Sequence, residues 1–278
     1  MSNAEAIRKD LAERFGEDIP VDAGLSGLDE ITRIAGRRVH RRYDGRPIDP
    51  ALLRLLCACA LSAPSKSDLQ QRDIVIVENR TTRQTIADLI PDMPWIGQAP
   101  VFLVFCANGR RLSQIAALRG KPFPNDHLDL LFNAATDAAL ALGSFMDAAR
   151  AVGLGCCPIS VIRDHAARIS ELLALPEKVI PYAGLCVGWP ATPGRISARL
   201  PLALTVHVDR FCEDDLPAQL AAYDARRTAL QPFATQRDPQ VWGEAAHYGW
   251  SEDKARQYAQ PQRTGFGAYV RARGFNPQ

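Results

Sequence analysis

Residues 127–152 constrain this chain more than any other stretch. Leu128, Leu131, Phe132, Ala135, Ala138, Ala139, Leu142, Phe145, Met146, Ala149 and Val152 recur at helical spacing and cover more than one face. A helix with one apolar stripe can lie on a surface, whereas one that is apolar on several sides has to be covered on several sides. The spacing therefore predicts a long helix from about His127 to Val152. It either runs through the centre of a large protomer or uses its small residues to pack closely against a partner subunit. At 278 residues, 47% of them hydrophobic, the chain has enough material to bury it.

Around that helix the patterns alternate. Ile7, Leu11 and Phe15 before Gly16, and Leu28, Ile31 and Ile34 before Gly36, predict two short helices. Asp49 is placed to cap a third, with Pro50 in its first turn and Leu52, Leu53, Leu56 and Ala60 as its buried stripe. A further helix is expected from Asn79 or Thr81 to Ile90. Asp164 is placed to cap another over His165–Leu173, and later helices are expected over 218–230, 251–259 and 262–273. Strands are expected at 73–77, 101–106, 156–160, 179–187 and 204–208; the second is continuous in Val, Phe and Leu, as in a strand covered on both faces. Residues 109–126 mix Gly, Pro and basic side chains and are expected to form a mobile surface excursion, and 194–201 an irregular basic crossing. The pattern is a mixed α/β core, residues 31–212, with an N-terminal helical arm, 1–30, and a C-terminal helical arm, 213–278, of the same domain.

Several function classes are excluded. A net charge of +2 is too small to define a nucleic-acid or membrane binder. Charges at Glu5, Arg8, Lys9 and Asp10 interrupt the start where a secretory signal needs an apolar run, and no apolar stretch reaches membrane-spanning length, so a cytoplasmic protein is expected. The seven cysteines have neither a disulfide framework nor paired metal spacing, and are expected to be reduced core residues. The five histidines are dispersed, so no metal site is expected, and no nucleophile elbow, zinc-protease helix or phosphate loop occurs.

What remains is Gly36-Arg-Arg-Val-His-Arg-Arg-Tyr. Four arginines in six positions concentrate positive charge and forked donors suited to a phosphate or another planar anion. A run of this kind is also compatible with a solvated face. Downstream, Ala63-Pro-Ser-Lys-Ser-Asp-Leu-Gln is a loop of turn formers that exposes hydroxyls and backbone amides before a strand.

These two stretches, with Gly153-Leu-Gly-Cys-Cys-Pro-Ile-Ser-Val-Ile-Arg, Leu185-Cys-Val-Gly-Trp-Pro and Arg199-Leu-Pro, occur in an order that resembles the nitroreductase superfamily, specifically its NADPH-dependent nitroreductase and flavin reductase branch. The tail from Trp250 to Phe275 is similar to that branch's helical arm, and only the segment before about Leu28 lies outside the likeness. The resemblance implies an α+β fold, a mixed but mainly antiparallel sheet wrapped by helices with terminal helical arms, in a homodimer that binds FMN at the subunit interface. It implies that Arg37 and Arg38 meet the flavin phosphate, with Val39 beside them and Arg199 as a second anchor. Arg41 would approach the pyrimidine side of the ring and Gln70 would hydrogen-bond it. Ser65 and Ser67 would touch its partner-facing side, and Pro158, Ile159, Ser160 and Val161 would lie against it, with the Ser160 N–H directed to N5. The chain departs from the family at Val39, usually Ser; at Asp68, often Asn; at Ser197, a phosphate-side position where Lys is common; and at Ser160-Val161, where close relatives have Gly-Gly.

On this likeness no side chain is assigned a catalytic role, because the flavin carries the chemistry. NADPH or NADH would deliver hydride through flavin N5 to nitroaromatics, quinones or a related electron-poor small molecule in a ping-pong cycle. Arg237, or else Arg110 or Arg111, would receive the NADPH 2′-phosphate. The alternative is a flavin- or ligand-binding module of the same fold without turnover.

Overall fold

The structure is a computed structural model describing residues 1–278. In chain order its helices are α1 (Asn3–Phe15), α2 (Leu28–Ala35), α3 (Pro50–Leu61), α4 (Arg80–Asp88), α5 (Trp95–Gln98), α6 (Arg110–Leu118), α7 (Leu128–Ala151), α8 (Ala166–Leu172), α9 (Leu216–Leu230), α10 (Pro239–Trp242), α11 (Trp250–Tyr258) and α12 (Phe266–Ala272). The strands are β1 (Arg72–Ile76), β2 (Val101–Asn108), β3 (Gly155–Ile159) and β4 (Val179–Gly188). None of the helices is long and apolar enough to cross a membrane. The chain forms two compact units, residues 1–38 with 195–262 and residues 39–194 with 263–278. These divisions differ from the expected boundaries near 30 and 212, because the chain leaves the first unit inside the arginine run and re-enters it at the basic crossing.

The second unit is built on one sheet of order β1-β2-β4-β3. Every pair in it is antiparallel, which makes the class α+β. Side chains alternate along β2. Leu103 and Phe105 pack with Leu53, Leu56 and Phe145, while Phe102, Val104 and Cys106 pack with Ile159, Ile162 and Ile169 on the opposite face. Both faces are covered, as the unbroken apolar run of β2 requires. Pro181 sits inside the central strand β4 because the register slips there: Phe105 pairs with Ala183 and Cys106 with Pro181. A bulge is where a sheet tolerates a residue that cannot donate.

The expected long helix is α7, with Ala134, Ala138, Ala141, Phe145 and Ala149 buried. The Phe145 ring meets Phe105 edge-on at 5.9 Å. Leu128, Phe132 and Leu140 are 52%, 67% and 40% exposed at helical i, i+4 and i+12 sites, so the chain by itself covers only part of the apolar circumference.

In the first unit α1 and α2 bury Ala4, Ile7, Leu28 and Ala35 together. A capping box starts α1, with Glu5 N–H donating to the Ser2 hydroxyl and Ser2 N–H to the Glu5 carboxylate. Gly16 ends it at φ +81°, where a Cβ would lie 2.6 Å from the Arg226 side chain. α9 and α11 are joined by Tyr223 edge-on to Trp250 at 5.4 Å and by the Ser251 N–H donating to Asp224 at 2.9 Å.

Four expectations are corrected. Residues 110–118 are helical, because the Asn108 side chain accepts from the Arg110 and Arg111 N–H groups and supplies a cap. No strand forms at 204–208: Val206 and Val208 are 61% and 80% exposed, no strand lies alongside, and a single 3-10 turn, Leu202–Leu204, takes its place. Asp164 does not cap α8; its residues follow a 3-10 turn, Val161–His165, and Asp164 pairs with Arg263 instead. The cysteines are all reduced, but Cys59 and Cys212 are exposed rather than buried.

Candidate functional site

In the first unit the end of α1 brings two distant stretches of chain together. Arg14 is 9% exposed, and its Nη2 donates to the carbonyls of Ala35 and Arg37 at 2.9 and 2.7 Å. Its Nη1 donates to the carbonyl of Ser197 at 3.3 Å, and the Arg199 N–H donates back to the Arg14 carbonyl at 2.7 Å. Arg226 adds a further tie, donating to the carbonyls of Arg14 at 3.2 Å and Arg199 at 2.6 Å. Arg37 and Arg199 are exposed and Arg38 is half-buried. Burial and the neighbouring charges of Arg199, Arg37 and Arg38 hold the Arg14 pKa below the ordinary guanidinium value. The carboxylate beside them is Asp10, 3.6 Å from Arg38 Nη2. Arg38 Nε is buried without a hydrogen-bond partner. Several guanidinium charges close enough to act on Arg14, together with an orphaned donor, fit a phosphate.

In the second unit three of the sequence stretches meet. The His40 N–H donates to the Cys156 carbonyl and the Asp44 N–H to the Trp189 carbonyl, each at 3.0 Å, while the Ala191 N–H donates to the Arg42 carbonyl at 3.0 Å. Residues 40–44 thus bond to β3 at Cys156 and to the chain just past the end of β4. Their close approach explains two glycines: a Cβ on Gly155 would lie 2.8 Å from His40, and one on Gly188 would lie 2.6 Å from Tyr43. The Tyr43 hydroxyl donates to the His40 carbonyl at 2.8 Å and lies 3.3 Å from that of Cys186; burial drives its pKa far up, so it remains a neutral donor. Arg41 is exposed, its guanidinium 5.4 Å from the Trp95 ring centroid. Burial raises the Cys157 pKa and Arg41 opposes that shift.

β3 ends in the last paired residue, Ile159 opposite Gly184, and Ser160 is the first residue beyond the ladder. It is exposed and begins the 3-10 turn, with Val161 half-buried after it. Pro158 is tolerated within β3 because this is an edge strand.

The loop before β1 is strained and pinned. Ser67, Asp68 and Gln70 have φ of 47°, 57° and 52°, an uncommon conformation for non-glycine residues. Asp137 of α7, 1% exposed, accepts from the Ser65 hydroxyl at 2.6 Å, the Gln71 N–H at 2.8 Å and Arg72 Nη1 at 3.2 Å. The Gln70 N–H donates to the Ser65 hydroxyl at 2.7 Å, and Arg111 holds both the Gln70 carbonyl and the Asp73 carboxylate. The exposed Gln70 side chain donates to Asp68 at 3.0 Å. This loop borders a cavity of about 320 Å³ that includes Asp68, Gln70, Asp73 and Arg111.

The expected residues therefore fall into a phosphate-type cluster in the first unit, Arg37, Arg38, Ser197 and Arg199, and two groups in the second: Val39, Arg41 and 158–161 near the sheet ends, and Ser65, Ser67 and Gln70 in the pinned loop. Arg111 is committed to Asp73 and Gln70 and supports the loop. Arg237 lies 3.5 Å from Asp253, so a carboxylate already opposes its charge. Arg14 and Asp137 were missed. Arg14 is the basic residue in the last turn of a helix, and Asp137 is one of three aspartates on α7, lying between the apolar positions Ala134, Ala138 and Ala141 that are buried with it. No group of His, Cys, Asp and Glu forms a metal site.

Comparison with known proteins points the same way. Residues 34–189 match the model described as "Nitroreductase family", and 197–278 the one described as "Nitroreductase family, C-terminal domain". The chain is 34% identical over 220 residues to an NAD(P)H-linked FMN reductase of Bacillus subtilis, covering 77% of this chain and 88% of that protein. It is 34% identical over 197 residues to an oxygen-insensitive NADPH nitroreductase of Salmonella typhimurium, covering 70% and 79%. The NADPH:FMN oxidoreductase of Vibrio harveyi, solved with NAD+, superposes with a TM-score of 0.77 at 26% identity, covering 88% of this chain and 98% of that one.

Proposed function

The chain belongs to the nitroreductase family, and on that premise we propose that it is an FMN-dependent oxidoreductase using NAD(P)H to reduce nitroaromatics, quinones or a related electron-poor small molecule. The observation that carries the reading is the tie made by Arg14, which gathers the Arg37–Arg38 and Ser197–Arg199 stretches into one cationic cluster. The chemistry FMN supplies when bound is two-electron transfer, with the hydride donor and the acceptor using the site in turn.

The chain's own residues supply binding and electrostatics. Arg37, Arg38 and Arg199 hold the phosphate by charge-assisted hydrogen bonds. The exposed Arg41 would supply a fixed positive charge toward the flavin ring and so favour its electron-rich form electrostatically. The Ser160 N–H, just beyond the β3 ladder, would offer a backbone donor to the ring edge, and the half-buried Pro158 and Val161 apolar surface to one face, with Ile159 buried in the core between them. Gln70, Ser65 and Ser67 lie on the loop that Asp137 pins; the Ser65 hydroxyl proton is committed to Asp137, so the Ser67 hydroxyl and the Gln70 side-chain amide are the groups this preorganised loop would offer. Arg237 is the candidate for the NADPH 2′-phosphate. The exposed Leu128, Phe132 and Leu140 of α7 support a homodimer, in which a second copy covers the apolar side that the protomer leaves bare.

Purified protein should be yellow and carry noncovalent FMN. Anaerobic mixing with NADPH should bleach the flavin absorbance, and a reduced sample should recolour on adding a nitroaromatic or a quinone. Colourless protein that takes up no FMN would refute the reading, and stable colour with both NADPH and NADH would leave a binding module without turnover.

A further inference from the structure

We infer that helix α1 is a working part of the phosphate site, with Arg14 as a positioning residue that sets the two phosphate-binding stretches side by side and Asp10 as a carboxylate that competes with phosphate for Arg38. This rests on FMN being the ligand. α1 lies ahead of residues 34–189 and 197–278, so the family match assigns it no role.

Three observations carry the inference. First, Arg14 spends its guanidinium on carbonyls from both stretches, Ala35 and Arg37 on one side and Ser197 on the other, while its own carbonyl accepts from the Arg199 N–H. A planar fork can reach two strands of backbone at once in fixed geometry, which the compact ammonium of a lysine cannot do. Second, burying this cation against Arg37, Arg38 and Arg199 is electrostatically unfavourable, as its lowered pKa records, and a phosphate dianion among the guanidiniums relieves the repulsion. Third, Arg38 is held only loosely from α1, at 3.6 Å from Asp10, while its buried Nε has no partner. A phosphate would satisfy that donor, and Asp10 opposes it as a like charge.

FMN and riboflavin share one ring system and differ by the phosphate, so their relative affinity isolates this site. The test titrates full-length protein, freed of flavin, with each compound and follows flavin fluorescence. The wild type should prefer FMN. Arg14→Lys, which keeps the charge but loses the fork, should reduce that preference about tenfold, the effect of one lost charge-assisted hydrogen bond. Arg14→Met should reduce it further, and Asp10→Asn should increase it. A helix that merely stabilises the fold would weaken both flavins equally, and equal weakening overturns the inference. So does a preference within twofold of wild type in both Arg14→Lys and Asp10→Asn. If Arg14→Met or Arg14→Lys does not fold, the near-isosteric Asp10→Asn decides alone. A wild type that binds neither flavin refutes the proposed function itself; a wild type that prefers FMN beside unchanged variants refutes only the role of α1.

Discussion

The Ser65 hydroxyl donates to the buried Asp137 carboxylate at 2.6 Å, fastening a strained surface loop to the central helix. Asp137 also pairs with Arg72, whose side chain is 5% exposed. Removing one member of a buried ion pair strands the other, so Asp137→Ala should cost about 3–5 kcal/mol, whereas Ser65→Ala, which loses hydrogen bonds alone, should cost about 1–2 kcal/mol. Urea titrations of the two variants compare the costs directly. Similar small losses for both would show that Asp137 does not anchor the loop.

Gly188 leaves room for Tyr43, and an added Cβ would lie 2.6 Å from Tyr43 and 2.7 Å from Pro100. Gly188→Ala should therefore destabilise the protein by about 1–3 kcal/mol. The helical Gly267, whose added Cβ would meet only the end of Arg271 at 3.7 Å, provides the contrast. There an alanine should stabilise by about 0.5–1 kcal/mol through helix propensity. Thermal melts that rank the two variants the other way would contradict the packing described around residues 40–44.

Phe132 is 67% exposed on α7 between Leu128 and Leu140. If a second copy covers this row, Phe132→Asp should give monomers by light scattering. As the side chain makes no contribution to the protomer's core, its fold stability should stay within about 0.5 kcal/mol. A variant that remains dimeric would place the interface elsewhere.

Burial pushes the Cys106 thiol up to about 12 from an ordinary 9. Below pH 9 the folded and unfolded chains both keep this proton, so the buried neutral thiol carries no penalty. Between 9 and 12 the unfolded chain releases it and the folded chain does not, so stability falls as pH rises, by about 1.4 kcal/mol per pH unit for one such group. Cys157 and Cys186 are shifted in the same direction. Urea midpoints at pH 8 and pH 10 should fall in the wild type and fall less in Cys106→Ala. A pH-independent midpoint would contradict the neutral buried thiol.

Much of the local structure was legible because side-chain periodicity answers to local geometry. The apolar circumference of 128–151, the Asp49–Pro50 start of α3 and the unbroken run of β2 each fixed an element before any contact was known. The misreadings arose where local pattern and environment diverge. Residues 110–118 looked like loop because Gly109 and two arginines lead them, yet the Asn108 cap makes a helix. Residues 204–208 alternate like a strand, but a strand needs a neighbour to bond with and none is present.

The sequence by itself determined the chemistry on offer: guanidiniums at 37, 38, 41 and 199, and a polar loop of turn formers at 63–70. Only the tertiary structure decided that Arg14 joins the arginine stretches and that Asp137 pins the loop. Each is one of several polar residues on its helix, and nothing in their local spacing says which backbone they will meet. Their roles come from burial, which forces each to find every partner its polar atoms require, at sequence distances only the folded chain can bridge.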